Sequence, residues 1–222
     1  MCSRYFLDAD GNVIAYTFRV PPNDRIARRY NIAPTQDAPV VRLNDAGARE
    51  AAMLRWGLVP AWAKDIGVGN RMINARAEGI EAKPAFRDAM KSRRCLVPAS
   101  GFYEWQAVAG RKQPWYFAPT DAELFGLAGI TAFWNGVRSV SLITTAPNQL
   151  MESIHDRMPV IVAPEDYAAW LDNEAPDLMR YVRPFPAGRM SARPVSMRVN
   201  QPENDDPALL EETTGPLQRG LL

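Results

Sequence analysis

The most distinctive chemistry in this sequence of 222 residues lies at its start, where Cys2 follows the initiator methionine. Because the side chain of Cys2 is small, we expect Met1 to be removed, which would leave a cysteine with a free α-amine. The α-amine has an ordinary pKa of about 7.7–8.0 and the thiol one of about 8.5. Such an amine can form a Schiff base with an aldehyde, and the thiolate can then close a five-membered thiazolidine ring. The alternative is that Cys2 marks only the start of a gene and has no chemical role.

Two other residues could transfer protons in such a reaction. Glu104 lies among the aromatic residues of a predicted strand, residues 101–106, and an inward-facing carboxyl would have a raised pKa because it is desolvated. We therefore expect Glu104 to titrate above an ordinary glutamate. His155, the only histidine, lies between a predicted helix end and the predicted strand 160–162, and its ordinary pKa near 6.5 suits proton transfer. A single histidine is more often structural, so both roles stay open.

A third group of polar side chains follows one face of a predicted strand. Asn74, Arg76 and Glu78 alternate with small or apolar residues, so in a strand their side chains would point the same way. An ordinary solvated sheet face gives the same pattern. The alternation alone therefore predicts a polar face and leaves its function open.

The basic residues are unusual in kind rather than in number. The net charge is +1, but of the 26 basic residues only four, at positions 64, 83, 91 and 112, are lysines, and the other 22 are arginines. Arginine binds phosphate in a bidentate manner and stacks on exposed bases, which lysine does not do. This excess is compatible with nucleic-acid binding, and a GC-rich coding sequence would produce it as well.

The composition predicts a globular, intracellular protein. Hydrophobic residues make up 47% of the chain, yet no apolar run approaches the roughly 18 residues that span a bilayer. The N-terminus lacks the charged and apolar regions of a signal peptide. Two cysteines and one histidine do not provide the usual ligands of a zinc site, and no GxGxxG or P-loop pattern is present. We therefore expect a cytoplasmic protein with no metal and no cofactor.

The order of the predicted elements indicates an α+β fold built mostly on antiparallel sheet, closed or barrel-like, with a few flanking helices. No linker divides the chain, so residues 1–222 are predicted to form a single domain. The acidic segment from about residue 200 to residue 222 is predicted to be a flexible tail.

Local patterns give three more specific expectations. Asn135-Gly136, between two apolar runs, is the strongest hairpin signal in the sequence. Apolar residues on both sides of a turn at Asp10 predict two short strands within residues 3–20. A proline at position 147 is predicted to open a helix over residues 147–154.

Motifs along nearly the whole chain resemble those of the SRAP family (SOS response-associated peptidase), which includes abasic-site sensors of the YedK and HMCES type. The matching motifs, in chain order, are Met1-Cys2-x-Arg4, Tyr30-Asn31-Ile32-Ala33-Pro34-Thr35, Arg55-Trp56-Gly57-Leu58-Val59-Pro60, Asn74-Ala75-Arg76-Ala77-Glu78, Arg94-Cys95-Leu96-Val97-Pro98, Gly101-Phe102-Tyr103-Glu104-Trp105 and His155-Asp156-Arg157-Met158-Pro159-Val160. The sequence departs from the family pattern at Ser3, where glycine is usual, and at Tyr5, where phenylalanine is usual.

The resemblance implies a β-rich fold with a groove for single-stranded DNA and covalent capture of abasic sites. In that chemistry the Cys2 amine attacks the aldehyde of the opened sugar, and the Cys2 thiolate closes a thiazolidine. Asn74 would position the amine or the ring, Glu104 would move protons during ring opening, and His155 would act as an acid or base near the sugar oxygen.

The resemblance also implies how DNA is bound. The implied contacts are three arginines for phosphates and three groove-wall residues, namely Arg4, Arg76, Arg157, Pro34, Trp56 and Trp62. The partner would be single-stranded DNA with abasic sites, at replication forks or junctions, with no membrane association. The protein is expected to be a monomer.

Two other functions remain open at this point. In the first, the protein is a peptidase or amidase with an N-terminal nucleophile, in which Cys2 attacks, His155 is the base, and Glu104 orients it. Removal of Met1 by the same residues would fit this function. In the second, the protein binds single strands without chemistry, Cys2 is incidental, and binding weakens with salt in proportion to the phosphates contacted.

Overall fold

The computed structural model describes residues 2–108, 110–175 and 177–213, and most of this backbone forms short β-strands. The strands are β1 (Tyr5–Leu7), β2 (Arg29–Ile32), β3 (Asp37–Leu43), β4 (Arg49–Trp56), β5 (Asn74–Arg76), β6 (Arg94–Ala99), β7 (Gly101–Val108), β8 (Arg111–Pro119), β9 (Phe125–Trp134), β10 (Val137–Thr145), β11 (Met158–Pro159), β12 (Ile161–Val162) and β13 (Met190–Pro194). This arrangement confirms the predicted α+β class.

The helices are short. The α-helices are α1 (Gly11–Phe18), α2 (Arg87–Ser92) and α3 (Tyr167–Leu171), and segments of 3-10 helix cover Ile66–Arg71, Ile80–Ala82, Pro164–Asp166, Leu178–Tyr181, Ala187–Arg189, Met197–Asn200 and Pro207–Leu210. Among the described residues, none of the helices has the length and apolar character needed to cross a membrane.

Five strands of the larger sheet close into a barrel-like ring. β3 pairs antiparallel with β4 and β6, β9 pairs antiparallel with β6 and β10, and β10 pairs parallel with β4. Each of these strands therefore has a partner on both sides, which removes exposed strand edges. The predicted hairpin is confirmed, because Asn135 and Gly136 join β9 to β10 with φ angles of 45° and 83°.

Two strands that are far apart in sequence, β5 and β11, pair with the same end of β10. β5 pairs with residues 142–144 of β10, and β11 pairs with residues 144–145. Asn74 begins β5, and His155 lies in the segment that leads into β11. The pairing therefore brings these two side chains to the same end of one strand.

The smaller sheet, in the order β13-β8-β7-β1-β2, brings in the other two predicted catalytic residues. β1 follows Cys2 and pairs antiparallel with β7, where Tyr5 lies opposite Phe102. The backbone N–H of Tyr103 donates to the carbonyl oxygen of Arg4 at 3.0 Å. This register sets Cys2 beside Glu104, the next residue of β7.

Two strands joined by a turn are predicted within residues 3–20. The first strand forms as β1, but the prediction of the second is wrong, because α1 forms there instead. The Asp10 side chain accepts hydrogen bonds from the backbone N–H groups of Asn12 and Val13 and so caps the first turn of the helix. Gly11 is needed at this start, since a Cβ there would lie 2.2 Å from the carbonyl oxygen of Asn23. The capping side chain, rather than the apolar pattern, decides the local structure.

Irregular turns replace the helix predicted over residues 147–154. Their hydrogen bonds are local, such as the one from the Met151 N–H to the carbonyl oxygen of Asn148 at 3.0 Å. The His155 N–H donates to the carbonyl oxygen of Met151 at 2.9 Å, so these turns still fix the segment that carries the histidine.

The acidic C-terminal segment is not a flexible tail as far as Thr213, which corrects the expectation from composition. Leu209 is fully buried in a small apolar cluster with Phe6 and Tyr103. An Asp205 oxygen accepts from the backbone N–H of Asn31 at 3.0 Å. The remainder of the predicted tail, residues 214–222, lies outside the described residues.

The fold makes a stability prediction at Tyr5. This side chain is fully buried against Trp56, with ring centroids 5.4 Å apart, and the described residues offer its hydroxyl no hydrogen-bond partner. Since an unpaired buried hydroxyl is unfavourable, Tyr5→Phe should raise the free energy of unfolding by about 1 kcal/mol. Urea denaturation would measure the change.

A matched control is Tyr103→Phe. The Tyr103 hydroxyl is equally buried in the fold but donates to the carbonyl oxygen of Tyr30 at 2.9 Å. Its removal should therefore lower the free energy of unfolding by about 1 kcal/mol. A destabilised Tyr5→Phe variant would contradict the assignment of an unpaired hydroxyl.

Candidate active site

The four predicted catalytic residues lie together, and a hydrogen bond fixes the first of them. Asn74 Nδ2 donates to the main-chain carbonyl oxygen of Cys2 at 2.6 Å. This bond joins β5, which pairs with β10 of the barrel, to Cys2, three residues before β1 of the smaller sheet. The main chain of Cys2 is thereby held in one position, although Met1 itself lies outside the described residues.

The Cys2 side chain is fully buried and protonated as placed here. Burial raises the pKa of the thiol well above its ordinary value, and the negative charge of Glu104 raises it further. Its sulfur lies 3.9 Å from the carbonyl oxygen of Arg4, which can accept a weak hydrogen bond. A reaction that uses this sulfur therefore needs a nearby group to take its proton.

The side-chain oxygen of Asn74, Oδ1, can accept a further hydrogen bond in the site. The Asn74 side chain is buried and one end is committed to Cys2. Among the described residues, the Oδ1 atom of Asn74 has no hydrogen-bond partner. An amine or hydroxyl group bound next to Cys2 could donate to this oxygen.

Glu104 is a buried acid whose protonation changes near neutral pH. It is only 2% exposed in β7, and burial raises the pKa of its carboxyl from 4.5 to about 7, with a smaller contribution from the negative charge of Asp156. This is the direction expected from its place among aromatic residues. At neutral pH Glu104 is thus present in both the acid and the base form.

His155 lies next to Glu104, with its Nε2 atom 3.9 Å from a carboxyl oxygen. His155 Nδ1 lies 3.0 Å from the backbone N–H of Arg157 and 3.2 Å from the carbonyl oxygen of the same residue, so it has a backbone partner in either tautomer. Burial lowers the pKa of His155 below 6.5, so the ring is mostly neutral at pH 7. On protonation, Nδ1 could instead donate to Asp156, whose carboxylate is 3.1 Å away.

An open groove of about 390 Å³ reaches two of these groups, Glu104 and His155. It is lined by Ser3, Arg4, Glu104, Trp105, Lys112, His155 and Asn200. Sequence reasoning did not assign Trp105, Lys112 or Asn200 to the site. The β7–β8 hairpin brings in the first two, and the C-terminal segment, expected to be flexible, supplies the third.

The three predicted phosphate-binding arginines differ in their surroundings. Arg4 is half-buried in the groove. Arg76 is exposed on β5, two residues after Asn74. Arg157 is buried, where one end of its guanidinium donates to Glu78 at 2.8 Å and the other to Thr144. Arg4 and Arg76 are thus directly accessible, whereas Arg157 is engaged within the protein.

The three predicted groove-wall residues also differ in their exposure to solvent. Trp62 is 60% exposed and Pro34 is partly exposed, so both can meet a ligand. Trp56 requires a correction, because it is 1% exposed and its indole N–H donates to the carbonyl oxygen of Ile73 at 2.9 Å. Its ring packs in the core and is not presented to a base.

Within the part of the chain that the structure describes, no three or more His, Cys, Asp or Glu side chains are grouped so that they could hold a metal ion. The side chains that meet at the site are the thiol of Cys2, the amide of Asn74, the carboxyl of Glu104 and the imidazole of His155. Together these groups can position a nucleophile and exchange protons with a bound molecule.

The raised pKa of Glu104 predicts how stability depends on pH. The folded protein binds this proton more tightly than the unfolded chain, whose carboxyl titrates near 4.5. Between about pH 4.5 and 7 the Glu104 contribution to the free energy of unfolding should therefore fall as pH rises, by at most about 1.4 kcal/mol per pH unit. Glu104→Gln should lack this slope, as urea denaturation at pH 5, 6 and 7 would show.

The comparison with Glu104→Gln also removes the contribution of His155. A lowered histidine pKa gives stability that rises with pH below about 6.5, which is the opposite sign. Since both proteins contain His155, the difference between their slopes isolates Glu104. Equal slopes would mean that the folded pKa of Glu104 is not raised.

Comparison with known proteins finds relatives that match most of the chain. The "Abasic site processing protein YoqW" of Bacillus subtilis is 40% identical over 223 residues, which cover 95% of this chain and 99% of that protein. The "Abasic site processing protein HMCES" of Xenopus tropicalis is 30% identical over 83% of this chain and 66% of that protein.

A crystal structure of a protein from Bacteroides thetaiotaomicron superposes with a TM-score of 0.87, at 25% identity, over 96% of this chain and 100% of that one. The family model described as SOS response associated peptidase (SRAP) matches residues 1–202. The chain therefore belongs to the SRAP family.

Proposed function

We propose that this protein processes abasic sites in single-stranded DNA by forming a covalent thiazolidine crosslink through Cys2 after removal of Met1. The crosslink would shield the lesion during the response to DNA damage. The observation that carries this proposal is the hydrogen bond from Asn74 to the main chain of Cys2, which fixes the N-terminal residue beside Glu104 and His155. Two relatives are named abasic site processing proteins, which supports an abasic site as the substrate.

The chemistry balances without a cofactor. The opened abasic sugar presents an aldehyde at C1′, the neutral Cys2 amine attacks this carbon, and loss of water leaves a Schiff base. The Cys2 sulfur then adds to the same carbon while its proton passes to the imine nitrogen. The product is a five-membered ring, and its mass is that of protein and DNA less one water.

Glu104 is suited to the proton transfers in this sequence. A pKa of about 7 supplies an acid that can protonate the sugar ring oxygen as the ring opens, and then a base that can accept the thiol proton. His155 Nε2 faces the same carboxyl at 3.9 Å and can donate to the opened sugar oxygen. Asn74 Oδ1 can accept from the attacking amine and hold it in position.

DNA would lie in the groove above these groups. Arg4 lines the groove and exposed Arg76 extends from the same strand as Asn74, so both can contact phosphates. A phosphate could also replace Glu78 on Arg157, because the Glu78 side chain is 60% exposed. Pro34 and Trp62 would form walls for unpaired bases. As part of the same proposal, the protein acts as a monomer in the cytoplasm and binds DNA at replication forks or junctions.

The second candidate function is an N-terminal cysteine peptidase, including removal of Met1 by the protein itself. The proximity of Cys2, Glu104 and His155 favours it, because these are a nucleophile and two groups that could act as its base. The raised pKa of the Cys2 thiol opposes it, since a peptidase of this type attacks as a thiolate. Repeated turnover of peptides would favour this second function over crosslinking.

The first functional prediction concerns the adduct itself. Intact mass spectrometry of the protein, mixed with an oligonucleotide that carries one abasic site, should show loss of Met1 and a gain of one DNA strand less one water. Cys2→Ala should form no stable adduct. Cys95→Ala is the matched control, because Cys95 is the other cysteine and is buried in the barrel. A processed protein without adduct, or an adduct in Cys2→Ala, would overturn the proposal.

The second functional prediction concerns Glu104. Glu104→Gln should slow single-turnover crosslinking by about 10²-fold or more, since it removes a general acid and base but keeps the side-chain size. In the unchanged protein, the rate should rise with pH as the amine loses its proton and fall above about 7 as Glu104 ionises. The falling limb should be absent in Glu104→Gln. Rates measured by gel shift between pH 5.5 and 8.5 would test both expectations.

A further inference from the structure

Asn31 is a buried polar residue that the mechanism above does not use. It lies on β2 with its side chain fully buried. Its Oδ1 atom accepts from Arg4 Nη1 at 2.8 Å. Its Nδ2 atom lies within hydrogen-bond distance of three carbonyl oxygens, at 3.3, 2.9 and 2.7 Å, which belong to Val199, Gln201 and Asn204. The Asn31 amide thus accepts from the Arg4 guanidinium through its oxygen and donates to main-chain carbonyl oxygens through its nitrogen. No other side chain of this length has both an amide acceptor and an amide donor.

The three carbonyl groups belong to one segment, residues 199–206, which we call the C-terminal strap. The strap forms part of the groove wall through Asn200, whose Oδ1 accepts from the indole N–H of Trp105 at 2.7 Å. Asp205 attaches the strap to β2 a second time, because its carboxylate accepts from the backbone N–H of Asn31 at 3.0 Å and pairs with Arg29. Asn31 therefore lies where β2, the strap and Arg4 meet.

Arg4 is held there by neutral groups only. Its Nη1 atom donates to the amide oxygen of Asn31 and to the carbonyl oxygen of Val199, both at 2.8 Å. Within the described ranges no carboxylate forms an ion pair with Arg4, and Glu203 of the strap influences it only at longer range. A positive charge held by neutral acceptors is not cancelled, so it remains available for an anion in the groove.

We propose that Asn31 is a positioning residue for DNA binding, which holds Arg4 against the C-terminal strap while leaving the charge of the guanidinium free to meet a phosphate. The inference rests on the proposed function, because it takes the anion to be a phosphate of single-stranded DNA. It assigns no chemistry to Asn31 itself, which acts through Arg4.

A double-mutant cycle tests this coupling. The probe is a single-stranded oligonucleotide with a tetrahydrofuran abasic analogue, which has no aldehyde and so reports binding alone. We expect Asn31→Ala and Arg4→Ala each to raise the Kd by about tenfold. The double variant should be no weaker than Arg4→Ala alone, because both changes remove the same contact. Additive losses, or no effect of either single change, would overturn the inference.

Asn31→Asp gives a second test that is independent of side-chain size. A carboxylate at this position would neutralise Arg4, so the slope of log K against log salt concentration should fall in magnitude by about 0.7, the value for one phosphate on a single strand. Binding with an unchanged salt slope would overturn the argument from neutral acceptors. This variant also serves if Asn31→Ala does not fold.

Asn23→Ala is the matched control, since Asn23 also donates from its amide to a carbonyl oxygen, that of Ala51, at 2.8 Å, but does not line the groove. It should leave the Kd unchanged. The adduct assay on the same samples separates the two proposals. Coupled binding without an adduct would reject crosslinking and retain the role of Asn31, whereas an adduct with additive binding losses would reject only the role of Asn31.

Discussion

The hydrogen bond between Asn74 and the main chain of Cys2 is the contact on which the arrangement of the site depends. Residues near a chain terminus are normally among the least ordered unless other contacts hold them. Here β5 holds Asn74 against β10, and Asn74 in turn holds the carbonyl group of Cys2 at 2.6 Å. The pairing of β1 with β7 fixes the same residue from the other side. Two sheets therefore combine to place Cys2.

The electrostatics of the site follow from burial more than from ion pairs. Burial keeps the Cys2 thiol protonated, brings the pKa of Glu104 to about 7 and keeps His155 neutral. Glu104 and His155 are thus held in forms that can exchange a proton near neutral pH, whereas the Cys2 thiol needs a base to take its proton. One of the two cations that line the groove is Arg4, and an arginine stays protonated and does not react with aldehydes as a neutral lysine amine would. Among the four lysines, Lys112 lines the groove.

The sequence was sufficient for those parts of the fold that depend on local chemistry. The Asn135-Gly136 turn needs positive φ angles that asparagine and glycine tolerate, and the alternation at Asn74 requires a strand. The α1 helix was missed because its exposed Val13 and Tyr16 obscure the helical period, while the Asp10 cap that starts it is a single residue.

Two parts of the site could not be predicted because they depend on long-range contacts. Hydrophobicity alone does not separate a tryptophan in the core from one in a groove, so Trp56 and Trp62 had the same expected role although only Trp62 is exposed. The acidic composition near residue 205 suggests a solvated tail. Whether Asp205 meets water or the backbone of β2 is decided by a strand about 170 residues earlier in the chain.

The contact between β2 and the C-terminal strap has a consequence for synthesis of the protein. Cys2 leaves the ribosome about 200 residues before Asn200, which lines the groove. At about 5–20 residues per second, these two events are separated by roughly 10–40 seconds. During that interval Asn31 has no carbonyl groups of the strap to bind, and Arg4 lacks one of its two acceptors. The groove is therefore completed only after Asn200 has been synthesised, and a chain truncated before this residue contains Cys2 and Arg4 without the strap that lines the groove beside them.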